Sequence, residues 1–379
     1  MKTMAFLILG LACVSLAAHA QRTVVAPEPP TVESHSYIIL DYHSHKLIAE
    51  KNSDEKIDPA SLTKIMTAYI VYEAIEDGSI APDDQVRVSE KAWKTEGSRT
   101  FIEADSLVSV SDLILGMVVQ SGNDASVALA EHVAGSESAF AHMMNQKAGD
   151  LGMENTSFKN ATGLSEEGHY STARDMATLS RYLIRDFPEY YKTYSVREFS
   201  YNKIKQYNRN PLLSRDPSVD GIKTGYTQSA GYCLASSAER NGMRLITVVT
   251  GNSSNKTRTE NSESLMNYGF RFFSTHRLYQ ARQVLQTMRV WGGQQDELKL
   301  GVEKDFFVTI PRGAQGNIDI NRQVVEKPEA PIQAHQNLGF IEAHYQKELL
   351  QKASLISLDE IPQGNFIKRM KDRVLLFFY

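Results

Sequence analysis

The order of strand-like and helix-like segments constrains the possible folds of this chain more than any other feature. Strand-like runs lie near the start, at residues 36–42 and 47–51, and again at residues 232–238 and 243–250. Asn241-Gly242 joins the last two runs and is typical of a tight hairpin. The helix-like segments fall between the early and late strands. We therefore expect one sheet assembled from both ends of this region, with helices packed on it.

The first helical segment, residues 61–76, is apolar or small at most positions, which is typical of a helix buried on all sides. Asp77-Gly78 follows it and is a common way to end a helix. Further helices are predicted over residues 110–119, 124–134, 138–151, 172–186 and 259–273.

A second, smaller and mainly β domain is predicted over residues 277–361, because this stretch shows little helical periodicity. Its strand-like runs are short, at residues 307–310, 317–320 and 332–334, and residues 340–350 fit either a strand pair or a helix. A chain of 379 residues, 42% apolar and 23% charged, is typical of a soluble protein with two domains. Its net charge of −4 gives no indication of nucleic-acid binding.

The N-terminal residues predict export. A short basic start and an apolar run end at Ala18-His19-Ala20, which is typical of a secretory signal cleaved after Ala20. Cys13 offers a lipoprotein signal as an alternative, although Gly10 stands where such signals usually carry a large aliphatic residue. We therefore assign residues 1–20 to the signal peptide and residues 21–34, rich in Pro, Val, Thr and Glu, to a flexible leader.

The mature chain would keep a single cysteine, Cys233, and no internal disulfide. Cys233 has no histidine close in sequence, so we interpret it as a small buried residue of a strand rather than a nucleophile. His43 and His45 lie in a hairpin turn without a third ligand nearby and are interpreted as surface histidines. We predict neither a metal site nor a cofactor.

Ser61 and Lys64 bring a hydroxyl and an amine together at the start of the first helix. Residues three apart share a helix face, so the two groups would lie side by side. A serine becomes a good nucleophile when a neighbouring base takes its proton, and lysine is a base only when neutral. Lowering the lysine pKa from about 10.4 to about 7–8 costs roughly 3–4 kcal/mol, which burial and a second cation can supply. The pair therefore predicts partners elsewhere in the chain.

Two other triplets supply such partners. Ser121-Gly122-Asn123 lies in a short link between predicted helices, where a hydroxyl and a carboxamide can point into a cleft. Lys223-Thr224-Gly225 lies just before the strand at residues 232–238 and adds a cation, a hydroxyl and an unobstructed backbone edge. Ser-x-x-Lys, Ser-x-Asn and Lys-Thr-Gly, in this order, resemble the signature of penicillin-recognising serine enzymes.

The surroundings of these motifs resemble the low-molecular-mass D-alanyl-D-alanine carboxypeptidases, and the resemblance covers residues 35–379. The stretches that carry it are residues 59–67, 121–125, 170–176, 208–210 and 219–225. It implies an α/β (α+β) catalytic domain of the β-lactamase/transpeptidase-like type, with an antiparallel sheet and helices, over residues 35–276. It also implies the mainly β C-terminal domain and an amphipathic anchor, because that group carries both.

The resemblance assigns a role to each motif residue. Ser61 would attack the carbonyl between the two D-alanines, and Lys64 would take the serine proton. Ser121 would relay a proton to the leaving D-alanine. Asn123 would hold Lys64 and the substrate amide, and Lys223 would supply the second cation.

The resemblance also implies the residues that bind substrate. Thr224, helped by Arg209, would hold the terminal carboxylate, and Gly225 would keep the strand edge open. The backbone N–H groups of Ser61 and Tyr226 would form the oxyanion hole. Tyr226 stands where some relatives carry histidine. Because only its backbone is used, this departure affects rate or preference rather than the class of reaction.

An amphipathic segment is predicted at residues 362–379. Its apolar face holds Phe366, Ile367, Met370, Val374, Phe377 and Phe378, and its cations are Lys368, Arg369, Lys371 and Arg373. The apolar run is far shorter than the ~20 residues that span a membrane, so we predict a helix lying in the membrane interface. A C-terminal helix docked on its own protein is the alternative.

These features predict a serine-type D-Ala-D-Ala carboxypeptidase in the periplasm, peripherally attached to the outer face of the cytoplasmic membrane. Peptidoglycan pentapeptides would be its substrate and β-lactam antibiotics its covalent inhibitors. A β-lactamase is one alternative, but the sequence offers no clear counterpart of the deacylating glutamate of class A enzymes. A DD-endopeptidase that cuts crosslinks shares the chemistry. A non-catalytic peptidoglycan-binding protein is less compatible with an intact nucleophile and base.

Overall fold

The computed structural model of this chain describes residues 24–378, so the predicted signal peptide and Tyr379 lie outside the described residues. Within this range the strands are β1 (Ser36–Asp41), β2 (Leu47–Lys51), β3 (Gln85–Arg87), β4 (Leu107–Ser109), β5 (Glu198–Tyr201), β6 (Ile204–Tyr207), β7 (Val219–Thr227), β8 (Gly231–Arg240), β9 (Met243–Asn252), β10 (Phe273–Tyr279), β11 (Gln286–Arg289), β12 (Glu297–Gly301), β13 (Phe306–Pro311), β14 (Ile318–Val324), β15 (Asn337–Tyr345) and β16 (Glu348–Ser357).

The helices are α1 (Lys64–Glu76), α2 (Glu90–Lys94), α3 (Val110–Val119), α4 (Asn123–Ala134), α5 (Glu137–Asp150), α6 (Ala173–Asp186), α7 (Pro188–Tyr191), α8 (Leu212–Arg215), α9 (Asn255–Phe272) and α10 (Phe366–Phe378). Short 3₁₀ turns lie at Ala60–Thr63, Lys192–Ser195 and Gln315–Asn317. None of the helices within residues 24–378 combines the length and the apolar character that crossing a membrane requires.

The central sheet has five antiparallel strands in the order β2-β1-β9-β8-β7. The early and late strands meet where β1 pairs with β9, with Ile38 opposite Val248. This confirms the prediction of one sheet assembled from both ends of the region. Strand β7 lies at an edge of the sheet, so one side of its backbone is available to an extended partner.

Helices cover both faces of the central sheet. Ile38 and Cys233 belong to the core that contains α1 and most of the other helices, whereas their neighbours Ile39 and Leu234 pack in a second core with α9. Successive strand residues point to opposite faces, which explains why each strand supplies both cores. Cys233 is fully buried in β8, as its interpretation as a small core residue requires.

The C-terminal part of the chain is mainly β. It contains a five-stranded antiparallel sheet, ordered β11-β12-β16-β15-β14, and the β10-β13 pair. Residues 340–350 belong to the β15-β16 hairpin, so the strand pair is the correct alternative. The predicted strand at residues 332–334 is wrong. Only Ile332 forms an isolated bridge, to Ile361, because the chain then turns, with Gln336 N donating to Gln333 O.

A buried polar cluster joins the central sheet to the C-terminal β region. Asp41, at the end of β1, accepts hydrogen bonds from Ser44 Oγ (2.9 Å) and from Thr275 Oγ1 at 2.6 Å. The Ser44 hydroxyl lies 2.6 Å from Thr309 Oγ1. Because Thr275 and Thr309 belong to β10 and β13, this cluster fixes the position of the C-terminal β region against the end of β1.

The segment predicted to be a flexible leader differs from that prediction where it is described. Residues 24–34 form neither helix nor strand, yet Val32 is buried in the core beside α9. Tyr268 Oη donates to Pro27 O at 2.7 Å, and Tyr345 Oη donates to Val24 O at 2.6 Å. Carbonyl groups of this segment therefore accept hydrogen bonds from a tyrosine of α9 and a tyrosine of β15. The amino-acid composition of residues 21–34 does not predict these contacts.

Candidate active site

Ser61 lies in the 3₁₀ turn that leads into α1, and Lys64 is the first residue of α1. The helix thus begins slightly later than the sequence predicts. Side chains three residues apart eclipse one another in a 3₁₀ turn, so this geometry brings the two groups closer than an α-helix would. Lys64 Nζ lies 3.0 Å from Ser61 Oγ, and the lysine is buried.

The surroundings of Lys64 favour its neutral, basic form. Burial, and then the charge of Arg209, lower the pKa of Lys64 to about 7. Its Nζ donates to Asn123 Oδ1 (2.7 Å) and to the carbonyl oxygen of Thr162. Neither oxygen can donate, so they take both hydrogens of a neutral amine and leave its lone pair facing Ser61. In this arrangement Lys64 can accept the serine proton.

The resemblance implies Lys223 as the second cation. Lys223 is buried beneath the cleft wall, and its Nζ donates to Thr224 O at 3.2 Å. Burial, followed by the charges of Lys64, Arg209 and Arg258, holds the pKa of Lys223 well below its usual range. Arg209 is a further cation whose charge lowers the pKa of both lysines.

Ser121 and Asn123 occupy the link between α3 and α4. Ser121 adopts a left-handed backbone conformation with φ of 66°, which is unusual for a residue other than glycine and is found at many functional sites. Asn123 begins α4, and its Nδ2 donates to Glu96 O while its Oδ1 receives Lys64. The link is held in turn by Asp124, which accepts hydrogen bonds from the backbone N–H groups of Thr100 and Phe101. These contacts fix the position of the link that carries Ser121 and Asn123.

The Lys-Thr-Gly triplet lies inside the edge strand β7, beside the start of α1. A Cβ atom added to Gly225 would lie 3.2 Å from Ala60 Cβ and 3.3 Å from Ser61 N. Glycine therefore permits the close approach of the strand to Ser61. Tyr226, the next residue, is 54% exposed, so its side chain projects from the wall of the cleft.

The cleft beside Ser61 has two lobes, of about 820 Å³ and about 310 Å³. Ser61, Ser98, Arg209 and Tyr226 line both lobes. The large lobe also contains Ser121, Thr224, Gly225 and Arg258, and the small lobe also contains Asn123, Thr162, Leu164 and Thr227. The structure thus brings seven of the nine predicted site residues into the lining of one cleft. The other two, Lys64 and Lys223, are buried behind its wall, and Lys64 contacts Ser61 directly.

Sequence reasoning missed Arg258. This buried residue of α9 donates from Nη1 to Gly225 O (2.8 Å) and Cys233 O (3.2 Å), and it lines the large lobe with Thr224. Burial lowers the pKa of Arg258 to about 10, so it remains a cation at neutral pH. Ser254, which caps α9, is the signal that would have placed Arg258 in the first turn of that helix.

Sequence reasoning also missed the loop that presents Thr162 to Lys64. Asn160 is 9% exposed, and its Oδ1 accepts from Thr162 N (3.2 Å) and Gly163 N (2.8 Å). Its Nδ2 donates to Leu164 O at 3.0 Å. One side chain thus holds the turn on which the Thr162 carbonyl depends.

His169 fixes the same loop to the 3₁₀ turn that carries Ser61. Lys159 N donates to His169 Nδ1 at 3.0 Å, so the proton lies on Nε2, which donates to Thr63 Oγ1 at 2.9 Å. Burial lowers the pKa of His169 to about 4, so the ring is neutral at neutral pH. The loop that carries Asn160 and Thr162 is therefore bonded directly to the turn that carries Ser61.

Two protein families match the chain over successive regions. Residues 23–254 match the D-alanyl-D-alanine carboxypeptidase family, and residues 273–363 match the C-terminal domain of penicillin-binding protein 5. Two relatives from Escherichia coli (strain K12) are similar over nearly the whole chain. D-alanyl-D-alanine carboxypeptidase DacC is 42% identical, covering 95% of this chain and 91% of the relative, and DacA is 41% identical, covering 96% and 93%.

Solved structures show the same relationship. Penicillin-binding protein 5 from Haemophilus influenzae is 38% identical, with a TM-score of 0.85 over 89% of this chain and 100% of that protein. Penicillin-binding protein D2 from Listeria monocytogenes, solved in its ampicillin-bound form, is 31% identical, with a TM-score of 0.60 over 64% of this chain and 100% of that one. The chain belongs to the D-alanyl-D-alanine carboxypeptidase family of penicillin-binding serine hydrolases.

Proposed function

We propose that this enzyme removes the terminal D-alanine from peptidoglycan pentapeptides through an acyl-enzyme on Ser61. The observation that carries the proposal is the amine of Lys64, 3.0 Å from Ser61 Oγ, with its hydrogens directed to Asn123 and Thr162. Lys64 takes the proton as Ser61 Oγ bonds to the carbonyl carbon between the two D-alanines. The backbone N–H groups of Ser61 and Tyr226 stabilise the oxyanion that forms.

The leaving group departs on the side of Ser121. When the carbon–nitrogen bond breaks, the amine of the leaving D-alanine takes a proton relayed by the Ser121 hydroxyl. Water then adds to the ester carbonyl on Ser61, the bond between Oγ and the acyl carbon breaks, and the serine regains its proton through Lys64. The left-handed conformation of Ser121 supports this role, because it turns the residue out of the regular path between α3 and α4.

Recognition of the free C-terminus explains why the enzyme would be a carboxypeptidase. Thr224, Arg209 and Arg258 all line the large lobe and can bind the terminal carboxylate with one hydroxyl and two guanidinium groups. The open edge of β7 can pair with the extended peptide, and Asn123 can hold its amide. Lys223 would act from behind Thr224, to whose carbonyl it is bonded.

β-Lactam antibiotics are proposed to acylate Ser61 by the same attack. A β-lactam also presents a carbonyl beside a carboxylate, and the ampicillin-bound relative from Listeria supports a cleft of this kind. The decisive experiment incubates the mature protein and Ser61→Ala with a pentapeptide and with labelled penicillin. The proposal expects D-alanine release and a label on Ser61 in the wild-type protein only. Absence of both from a folded wild-type protein would refute it.

The proposed organisation is a signal peptide at residues 1–20, a catalytic domain at residues 35–276, a β domain at residues 277–361 and an anchor at residues 362–379. We place the enzyme in the periplasm, attached to the outer face of the cytoplasmic membrane. The exposure of Ile367 (78%), Phe377 (87%) and Phe378 (81%) supports attachment, since a helix that only docked on its own protein would bury its apolar face. Deleting residues 366–379 should move the protein to the soluble fraction, and continued tight membrane association would contradict this proposal.

A further inference from the structure

Helix α10 lies on the C-terminal β region through its polar side. Asp372 is buried, accepting hydrogen bonds from Gly292 N (2.9 Å) and from Arg289 Nη2 at 3.2 Å. The Arg289 guanidinium lies 4.1 Å from the centre of the Trp291 ring. A buried carboxylate satisfied in this way holds the helix in one orientation, because breaking the contact would leave the charge unpaired.

A groove of about 370 Å³ runs along one flank of this docked helix. Its helical wall carries Arg369, Met370 and Arg373, and its opposite wall carries Trp291 and Glu329. Glu329 is held on that wall by its neighbours, since Trp291 N donates to Pro328 O (2.9 Å) and Ala330 N donates to Trp291 O at 2.8 Å. Both walls of the groove are therefore built on fixed backbone.

The charges in the groove are open to a ligand. Arg369 and Arg373 are one helical turn apart on the same face. The only side-chain bond of Arg369 within residues 24–378 goes to the neutral Gln363 Oε1, at 3.2 Å. Within the same part of the chain, Arg373 and Glu329 are exposed, and neither forms an ion pair. Two cations and the Glu329 carboxylate thus share the groove without forming ion pairs, whereas the other carboxylate of the groove, Asp372, is paired with Arg289.

The same flank continues into the exposed apolar face of the helix. Met370 belongs both to the groove and to that face, and Phe366, another groove residue, is 68% exposed. If the apolar face enters a bilayer interface, the groove lies at the depth of the lipid headgroups. A molecule in the groove would then have its acyl chains beside Met370 and Phe366.

We propose that this groove binds the headgroup of a membrane phospholipid that carries both a phosphate and a primary ammonium group, as phosphatidylethanolamine does. The phosphate lies between Arg369 and Arg373, which suit its oxygens as paired donors. The ammonium group bonds to Glu329, which disfavours a purely anionic headgroup at the same place. This inference rests on the proposed membrane attachment and adds a lipid preference to it.

The test measures binding of the full mature chain to vesicles of phosphatidylcholine alone and of phosphatidylcholine with added phosphatidylethanolamine. We expect phosphatidylethanolamine to strengthen binding roughly tenfold, which corresponds to one charge-assisted hydrogen bond. Glu329→Gln should lose this gain, and Arg373→Gln should weaken binding to both kinds of vesicle. D-alanine release by each variant reports that it is folded.

Lys371→Gln is the matched control, because it removes one cation from the same helix but Lys371 lies outside the groove. It should keep the gain from phosphatidylethanolamine. The proposal is overturned if Glu329→Gln keeps the gain, which would make the effect one of bilayer packing, or if the Lys371 variant loses it. It is also overturned if binding is the same for both kinds of vesicle. If the wild-type protein binds no vesicle at all, the membrane attachment itself is wrong.

Discussion

Lys64 Nζ lies 3.0 Å from Ser61 Oγ, and its other two contacts, Asn123 Oδ1 and Thr162 O, can only accept hydrogen bonds. A neutral amine in this position has its lone pair directed at the serine hydroxyl. Burial makes the neutral form accessible near neutral pH, since it is the largest cause that lowers the pKa of Lys64 to about 7. The orientation and the pKa of the base therefore arise from the same buried site.

Asn160 should act on catalysis without touching the substrate. Its side chain holds the turn that presents the Thr162 carbonyl to Lys64. Asn160→Ala should slow acylation by labelled penicillin roughly ten- to hundredfold, because the amine loses its fixed orientation. Asn160→Asp keeps the accepting oxygen but replaces the donor to Leu164 O and Glu166 Oε2 with a second acceptor, so its rate should also fall below that of the wild type. If Asn160→Ala were acylated at the wild-type rate and with an unchanged pH profile, this role would be ruled out.

Gly225 should be intolerant of even a methyl group. In Gly225→Ala the new Cβ would press on Ala60 and on the backbone nitrogen of Ser61, which lies 3.3 Å away. Displacing an oxyanion-hole donor typically costs roughly 10²–10³ in rate, and we expect a loss of this size in kcat for D-alanine release. Gly316→Ala is the control, because a Cβ there meets no atom of residues 24–378 within 4 Å. Equal activity of the two variants would contradict the proposed geometry.

Arg258 should recognise the substrate carboxylate. Arg258→Gln should lower kcat/KM for the pentapeptide roughly ten- to hundredfold, because a buried cation of the large lobe is lost. The same peptide with a C-terminal amide should be a poor substrate for both proteins and should show little difference between them. Arg271→Gln, an exposed change in the same helix, serves as control. If Arg258→Gln lowered kcat/KM for the amide peptide by the same factor, Arg258 would have a structural role instead.

Local signals in the sequence predict much of the fold and most of the site. Helix α3 matches its predicted bounds, residues 110–119, because strong apolar periodicity and a Ser109 cap coincide there. The sequence, by contrast, does not predict that the Lys223 triplet lies within a strand. Strand β7 contains polar residues and glycines, which do not give an alternating apolar pattern. Its structure depends instead on pairing with β8 and on contact with Ala60.

The residues that the sequence did not reveal depend on contacts between distant segments. Asn160 and Arg258 are polar residues in stretches with little regular pattern, and their importance comes from the backbone groups that they meet in the folded chain. The same is true of the effect of Arg209 on Lys64, because the resemblance implies Arg209 only as a helper in carboxylate binding. Charge effects of this kind depend on burial and distance, which spacing along the chain does not give.

We propose that neutral Lys64 is the base that activates Ser61, and the pH dependence of Ser61 acylation tests this role most directly. The rate constant for labelling by penicillin should rise with pH as Lys64 loses its proton and should level off above about 7. Lys64→Arg should show almost no labelling at any pH, because a guanidinium stays protonated. A rate that is constant through this pH range, or substantial labelling of Ser61 in Lys64→Arg, would contradict the account.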